Sequence, residues 1–467
     1  MTEFPPTDEQ SAILDATHLT TDNLMLRARA GCGKTSTLEL IDANGSGPAL
    51  LVCFNKSIAD EARKRVRSTT TVKTLNALGH AIWADKVKRK LSLNTKKILE
   101  IYRGIVEEAG RSEARAIWSL YDQVTSAVNM ARAVGYIPPS HAMARKALVD
   151  FASLERRLDE TLLPEVHGLV DRILTRSISL AYEGTVDFND QVYMPALFGG
   201  VYPHFPLVMI DEYQDLSPVN RAMVAKLCRH SRQIGVGDEA QAIYEFRGAD
   251  ANAMPQAIED FNMVVLPLSV SFRCPEEITT NVHWHVPDIR SANKGGIVEE
   301  VEAIEILPDS AVICRYNAPL LKLAMRLLQS GQAVDVAGVD IGAKIIKIMT
   351  KLGPEEMSQG QVLSSIADWQ AERESLDSKT AKDTADCMRV FARAAKSLGA
   401  AIAYANHIFS ASGEIRFMSG HRAKGLEFDH VYHLNRNEIK TNGQEQNIHY
   451  VIDTRPKACL TYIEDSQ

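Results

Sequence analysis

The segment Ala28-Arg29-Ala30-Gly31-Cys32-Gly33-Lys34-Thr35-Ser36 limits what this chain can fold into more than any other. It follows the apolar run Asn23 to Leu26 and precedes residues with helical character, so a strand must pass through a glycine-rich turn directly into a helix. In that geometry backbone N–H groups at the helix N-terminus wrap an anion. Lys34 reaches the outer phosphates of a nucleotide, and Thr35 ligates magnesium. Ala28 stands where the usual form has glycine, but a small residue still lets the turn close. A matching half lies downstream, where Val208-Met209-Ile210 ends abruptly in Asp211-Glu212-Tyr213-Gln214-Asp215. A buried strand that ends in paired acids delivers one carboxylate, Asp211, to the magnesium ion. The second, Glu212, is then placed to position and polarise a water. The two halves make a nucleotide-hydrolysing site.

The chain has 467 residues, 45% hydrophobic and 24% charged, an ordinary globular composition with length enough for two to four domains. It lacks an apolar run of about 18 residues, and Met1 to Pro6 lacks the basic and apolar regions of a leader, so the expectation is a cytoplasmic protein of a bacterium or phage-infected cell, with no membrane partner. Seven cysteines are scattered without a C-x-x-C pair, a pattern that suggests neither a zinc site nor a disulfide framework. His283-Trp284-His285 has no third ligand nearby in sequence and reads as structural. A net charge of -7 argues mildly against a polyanionic partner, yet Glu61 to Lys90 carries nine Lys or Arg against two acids.

Strand and helix patterns alternate from Asn23 through the strand Pro48 to Phe54 and the helix Lys56 to Val66. Helical periodicity then dominates to Tyr182, including Lys97 to Ala109 and Ala114 to Ala133. Strands return at Leu207 to Ile210, Gln233 to Val236 and Met263 to Leu268. A second αβ pattern has strands at Ala311 to Cys314, Ala333 to Ala337, Ile415 to Met418, His430 to Leu434 and Ala458 to Ile463, with a helix at Pro319 to Gln329. The expected fold is α/β, with two parallel-sheet lobes, each carrying a helical insertion. The first lobe occupies 1–77 and 183–275 with its insertion at 78–182. The second occupies 276–341 and 407–467 with a reduced insertion at 342–406.

Asp211-Glu212-Tyr213-Gln214-Asp215, together with the stretch from Val236 through Gln241-Ala242-Ile243-Tyr244-Glu245-Phe246-Arg247 to Ala249, resembles the UvrD/Rep-type helicases of superfamily 1. The resemblance implies RecA-like lobes of the P-loop NTPase class, ATP and Mg2+ as ligands, and single-stranded DNA and its junctions with duplex as partners. It also implies roles residue by residue. Gln10 in Thr7-Asp8-Glu9-Gln10 reads adenine, Phe272 stacks on the base, and Arg273 meets the terminal phosphate. Gln241 senses that phosphate, Arg315 and Arg455 act as arginine fingers, and Glu427 approaches the ribose. Ser271 and Cys274 depart from the family's Asn-Tyr-Arg-Ser pattern. Asp453 and Pro456 depart from it beside Arg455, which leaves the aim of that arginine open.

A track for a single strand needs aromatic faces and phosphate donors, and the matched positions are Phe54, Thr74, Tyr244, Phe246, Arg247 and His421. The implied activity is an ATP-dependent DNA helicase or translocase moving 3′-to-5′. Two other readings stay open: an RNA-directed superfamily 1 helicase, and a nucleotide-gated module that binds or displaces without unwinding, which the shortened second insertion keeps open. Neither the pathway, such as repair or replication, nor the oligomeric state is legible.

Overall fold

In the computed structural model the described residues are 5–142, 147–158, 162–301, 305–374, 381–440 and 442–465; residues 1–4, part of the stretch read for a leader, lie outside them. The chain divides into two units, Met1–Ser269 and Val270–Gln467. Phe272 and Arg273, expected at the end of the first lobe, therefore belong to the second unit. The short pairing of Val270-Ser271 with Arg290-Ser291 holds them there.

Six parallel strands form the sheet of unit 1: β1 (Leu24–Ala28), β2 (Ala49–Cys53), β3 (Thr70–Thr74), β4 (Leu207–Ile210), β5 (Arg232–Gly237) and β6 (Val264–Leu268). Their order is β3-β2-β4-β5-β1-β6. β1 and β4 are thus not adjacent: β5 lies between them, and the ends of β1, β4 and β5 share one edge of the sheet. Strands β1, β2, β4 and β5 are covered on both faces, which is why they read as continuous apolar runs. β3, by contrast, is an edge strand of Thr-Thr-Val-Lys-Thr, and its lack of an apolar run hid it from sequence reading. The helix expected at Lys56 to Val66 ends sooner, at Ala62.

The insertion has its own core of Ile101, Tyr102, Ile105, Val124, Val128 and Leu174 with their neighbours. The single helix expected over Ala114 to Ala133 is instead two, Arg111–Ser119 and Tyr121–Val134, broken at Leu120. Packing explains the break, because Tyr102 sits in edge-on contact with Tyr121 and tilted against Trp118, and its hydroxyl donates to the Ile117 carbonyl. The insertion is tied to the lobe by a buried ionic group. Lys97 Nζ lies 2.6 Å from Asp190 Oδ2, and Arg132 Nη1 lies 2.6 Å from Asp187 Oδ2. With charges of both signs present, none is left buried alone.

Unit 2 contains a second six-stranded parallel sheet: β7 (Ile297–Val301), β8 (Ala311–Cys314), β9 (Val334–Val336), β10 (Ile415–Ser419), β11 (Phe428–Leu434) and β12 (Pro456–Ile463), in the order β7-β12-β11-β8-β10-β9. β7 is again an exposed edge strand, rich in glutamate, that sequence reading passed over. The helical stretch of this unit does not enclose a separate core. Met388, Phe391, Leu398 and Ala405 share one cluster with Leu321, Ala324 and Phe417 of the sheet layer. Among the described residues no helix is long and apolar enough to cross a membrane.

Candidate nucleotide site and nucleic-acid surface

The glycine-rich turn has the form that phosphate binding needs. Gly31 and Gly33 adopt φ of 72° and 77°, in the left-handed region, and the helix Lys34–Asn44 starts immediately after. Cys32 packs inward at 1% exposure, and burial pushes its thiol up to about 12, so it fills space as a neutral group. Lys34 Nζ lies 3.1 Å from Glu212 Oε2, and Thr35 Oγ1 donates to Asp211 Oδ2 at 2.8 Å. The loop after β1 and the acids after β4 are thereby brought together. The carbonyl of Val52 in β2 accepts from Asp211 N at 3.0 Å and locks the end of β4 into the sheet.

Electrostatics distinguish the two acids. Asp211 is 3% exposed, and burial, with the Glu212 charge next to it, raises its carboxyl to about 6. Burial opposes the charge on Lys34 as well, but the combined field of Glu212, Asp238 and Asp211 outweighs it and holds the ammonium above its ordinary range. Glu212 sits at φ 52° and ψ 47°, a left-handed conformation uncommon for a residue with a Cβ. The turn directs its carboxylate back to Lys34.

From Glu212 a chain of hydrogen bonds runs into the next strand. Gln214 Nε2 donates to Glu212 Oε2 at 2.5 Å, while Gln214 Oε1 accepts from Asp238 N at 3.0 Å. Asp238 Oδ2 in turn accepts from Gln241 Nε2 at 2.6 Å. Asp238, fully buried, also lies 3.7 Å from Arg29 Nη1 of the phosphate loop. Sequence reading gave Asp238 no role, although it carries the same signal as Asp211: an acid directly after an apolar strand. Gln10 is 6% exposed, and its Nε2 donates to Thr37 Oγ1 at 3.1 Å, which fastens the helix Asp8–Leu19 to the helix of the phosphate loop. Its Oε1 accepts from Thr7 N at 3.0 Å in a capping box, so here the amide is a structural tie.

Residues 80–262 match the UvrD/REP helicase N-terminal domain family. Over these residues the chain is similar to that family. The chain is 26% identical over 261 residues to F-box DNA helicase protein 1 of Schizosaccharomyces pombe, covering 53% of this chain and 29% of that protein. It is 23% identical over 283 residues to DNA helicase IV of Escherichia coli, covering 51% of this chain and 41% of that protein. The chain thus spans less than half the length of either relative.

The same unit displays an aromatic shelf. Phe54 and Phe246 are 43% and 58% exposed. The Phe54 and Tyr244 rings are parallel within 5° at 6.1 Å, and Tyr244 meets Phe246 at 6.2 Å and 61°. The Arg247 guanidinium lies 5.4 Å from both the Tyr244 and Phe246 ring centres. Gly248 ends this turn at φ 84°, and a Cβ there would come within 2.4 Å of Ala133, so only glycine lets the shelf seat against the insertion. The shelf opens on a cavity of about 450 Å³, whose wall includes Phe54, Asn76, Phe188, Tyr244, Phe246 and Arg247. Phe188, 55% exposed between two polar residues, was missed in sequence, where its one signal was a lone aromatic in a polar run. Thr74 is half-buried and its hydroxyl accepts from Ala77 N to cap the helix Leu75–Val87, so it is placed as a cap.

The basic strip from Glu61 to Lys90 is partly neutralised within the lobe. Arg67 Nη2 lies 3.1 Å from Asp42 Oδ1, Arg65 Nη1 lies 3.5 Å from Glu39 Oε1, and Lys88 Nζ lies 2.6 Å from Asp85 Oδ1. Arg63 pairs with Asp60 and donates to the Val72 carbonyl. The strip serves the fold as much as any polyanion.

In unit 2 the expected nucleotide residues hold one another. Arg273 Nε donates to Glu427 Oε2 at 2.9 Å, and Arg315 makes a two-pronged pair with Glu445 at 2.8 and 2.9 Å. Phe272 remains 39% exposed, and Ser271 Oγ accepts from Cys274 N at 3.0 Å. His421 is half-buried in the short helix Gly420–Ala423. Arg455 is placed inward. It is 1% exposed and donates to the carbonyls of Val451 at 2.7 Å and Leu426 at 3.3 Å, and to Thr454 Oγ1 at 3.1 Å. A guanidinium used this way clamps the end of the helix Gln444–Asp453. Asp453, the other departure, accepts from Tyr462 OH at 3.0 Å and lies 2.7 Å from His433 Nδ1 in a fully buried group.

Proposed function

We propose that this protein is an ATP-hydrolysing DNA helicase or translocase that moves 3′-to-5′ on single-stranded DNA and acts at its junctions with duplex. The observation that carries the reading is the paired contact of Lys34 with Glu212 at 3.1 Å and Thr35 with Asp211 at 2.8 Å, which assembles a phosphate cradle, a metal-ligand pair and a water-directing carboxylate in one unit. The donor set fits Mg2+ and a triphosphate: oxygen ligands from Thr35 and Asp211, a point charge from Lys34, and backbone N–H groups from Gly31 to Thr35. Mg2+, when bound, supplies neutralisation of phosphate charge. With nucleotide present Lys34 turns to the phosphates, and Glu212, released from the pair, accepts the proton side of the attacking water.

Gln214, Asp238 and Gln241 link that carboxylate to the segment bearing Tyr244, Phe246 and Arg247. A change at the phosphates thereby reaches the surface on which bases stack. Within unit 2, Arg273 and Arg315 are held ordered by their ion pairs with Glu427 and Glu445. Phe54 joins Tyr244 and Phe246 in holding the strand. ATP hydrolysis measured with single-stranded DNA, single-stranded RNA and neither, followed by unwinding of duplexes tailed at either end, tests the reading. Stimulation by DNA and unwinding from a 3′ tail are expected. Stimulation by RNA alone, or hydrolysis without unwinding or displacement, would overturn it.

A further inference from the structure

One face of the unit 2 sheet carries a group that the nucleotide chemistry does not use. His430 of β11 lies in register with Cys459 of β12, and Glu299 of β7 lies in register with Thr461 of β12. In parallel strands, register partners share a face, and so do residues two apart. Glu299, His430, Cys459 and Thr461 therefore project from one face across three neighbouring strands. Their ligand atoms converge: a carboxylate oxygen of Glu299, a ring nitrogen of His430 and the sulfur of Cys459 all lie within 4.8 Å of one another. Thr461 Oγ1 lies among them, 2.8 Å from His430 Nε2, 3.0 Å from Glu299 Oε1 and 3.6 Å from Cys459 Sγ.

We propose that Glu299, His430 and Cys459 bind a transition-metal dication of the zinc class, which staples the edge strand β7 to β11 and β12. One imidazole, one thiol and one carboxylate form a borderline-soft donor set that suits Zn2+ and disfavours Mg2+, whose oxygen-only preference is met at Thr35 and Asp211. Tetrahedral ligands about zinc stand about 3.3–3.7 Å apart, so rotamer changes that draw these atoms, now within 4.8 Å, closer together and displace the Thr461 hydroxyl complete the set. Glu299 is exposed, which leaves a fourth position for water. Binding converts the Cys459 thiol to a metal-bound thiolate and releases one proton to solvent. Burial holds His430 below its ordinary range. The site is separate from the proposed ATP chemistry, and its test does not depend on activity.

The full chain, stripped with a chelator and titrated with Zn2+ alone, is expected to take up one ion, retained against excess Mg2+. Cys459 is the one cysteine of the seven that is not buried, so a thiol reagent applied to the folded protein reports on it directly. Zn2+ should protect that thiol, and Co2+ should give a sulfur-to-cobalt charge-transfer band in the near ultraviolet. Cys459→Ser should abolish the band and weaken Zn2+ uptake by about 100-fold, with His430→Ala giving a similar loss. Absence of protection and of the band in the unmodified protein, or undiminished uptake by Cys459→Ser, overturns the proposal. The unmodified protein alone decides the question if either variant misfolds.

Discussion

Asp211→Asn should stabilise the ligand-free protein while removing its ATPase activity. Burial raises the Asp211 carboxyl from an ordinary 3.8 to about 6. A carboxylic acid with a raised folded pKa binds a proton in the folded state that the unfolded chain has already lost. Stability then falls as pH rises through the window from about 4 to 6 and stays reduced above it. About two pH units correspond to roughly 3 kcal/mol at neutral pH. Asparagine has the same shape and no charge. Its Oδ1 can accept from Glu212 N, and Thr35 Oγ1, now a donor to Asp211, can reverse and accept from Nδ2. The raised value already nets the attraction to Lys34 against burial and the Glu212 charge, so the expected gain is about 1–3 kcal/mol. For a unit of this size that is a rise of roughly 3–10 °C in midpoint. Calorimetry of the two proteins at pH 7.5 and pH 4 measures it: the gap should be present at the first and absent at the second, because other carboxylates titrate alike in both. An equal gap at the two pH values, or none at pH 7.5, refutes the argument.

Lys34→Ala should lower ATP turnover by about 100-fold or more, since it removes the charge that faces the phosphates, and steady-state hydrolysis with saturating single-stranded DNA measures this. Gln214→Ala cuts the hydrogen-bond chain between Glu212 and Asp238, and the expected result is residual hydrolysis that DNA no longer stimulates. Phe246→Ala removes an exposed stacking face and should weaken single-strand binding by about 1–3 kcal/mol in a fluorescence titration, with basal ATPase unchanged. Arg455→Ala leaves two carbonyls and a hydroxyl short of a buried donor and should destabilise unit 2 by about 3–5 kcal/mol. A stable variant that has lost turnover would point to the finger role.

The chemistry that lies contiguous along the chain was legible without coordinates. The turn from Ala28 to Thr35 and the acids after Ile210 each sit at a strand end, where local sequence alone decides backbone form and charge. Continuous apolar runs located β1, β2, β4 and β5 because such strands are covered on both faces. β3 and β7 were not legible, since edge strands of threonine or glutamate carry no such run. The break at Leu120 was hidden for another reason: it answers to how Tyr102 packs against Trp118 and Tyr121, which are distant or ambiguous in sequence.

Tertiary structure decided where each charge goes. Arg455 and the basic residues Arg63, Arg65 and Arg67 look alike in sequence, yet one is a buried clamp and the others are partners of acids within their own lobe. The cysteine pattern argued against zinc because ligand spacing along the chain is local. Strand pairing, however, brings Glu299 to Cys459 from far along the chain. Sequence specifies which side chains are available and the local geometry of a turn or strand end. Long-range register specifies which of them meet, because a pairing shifted by one residue turns every side chain of a strand to the opposite face.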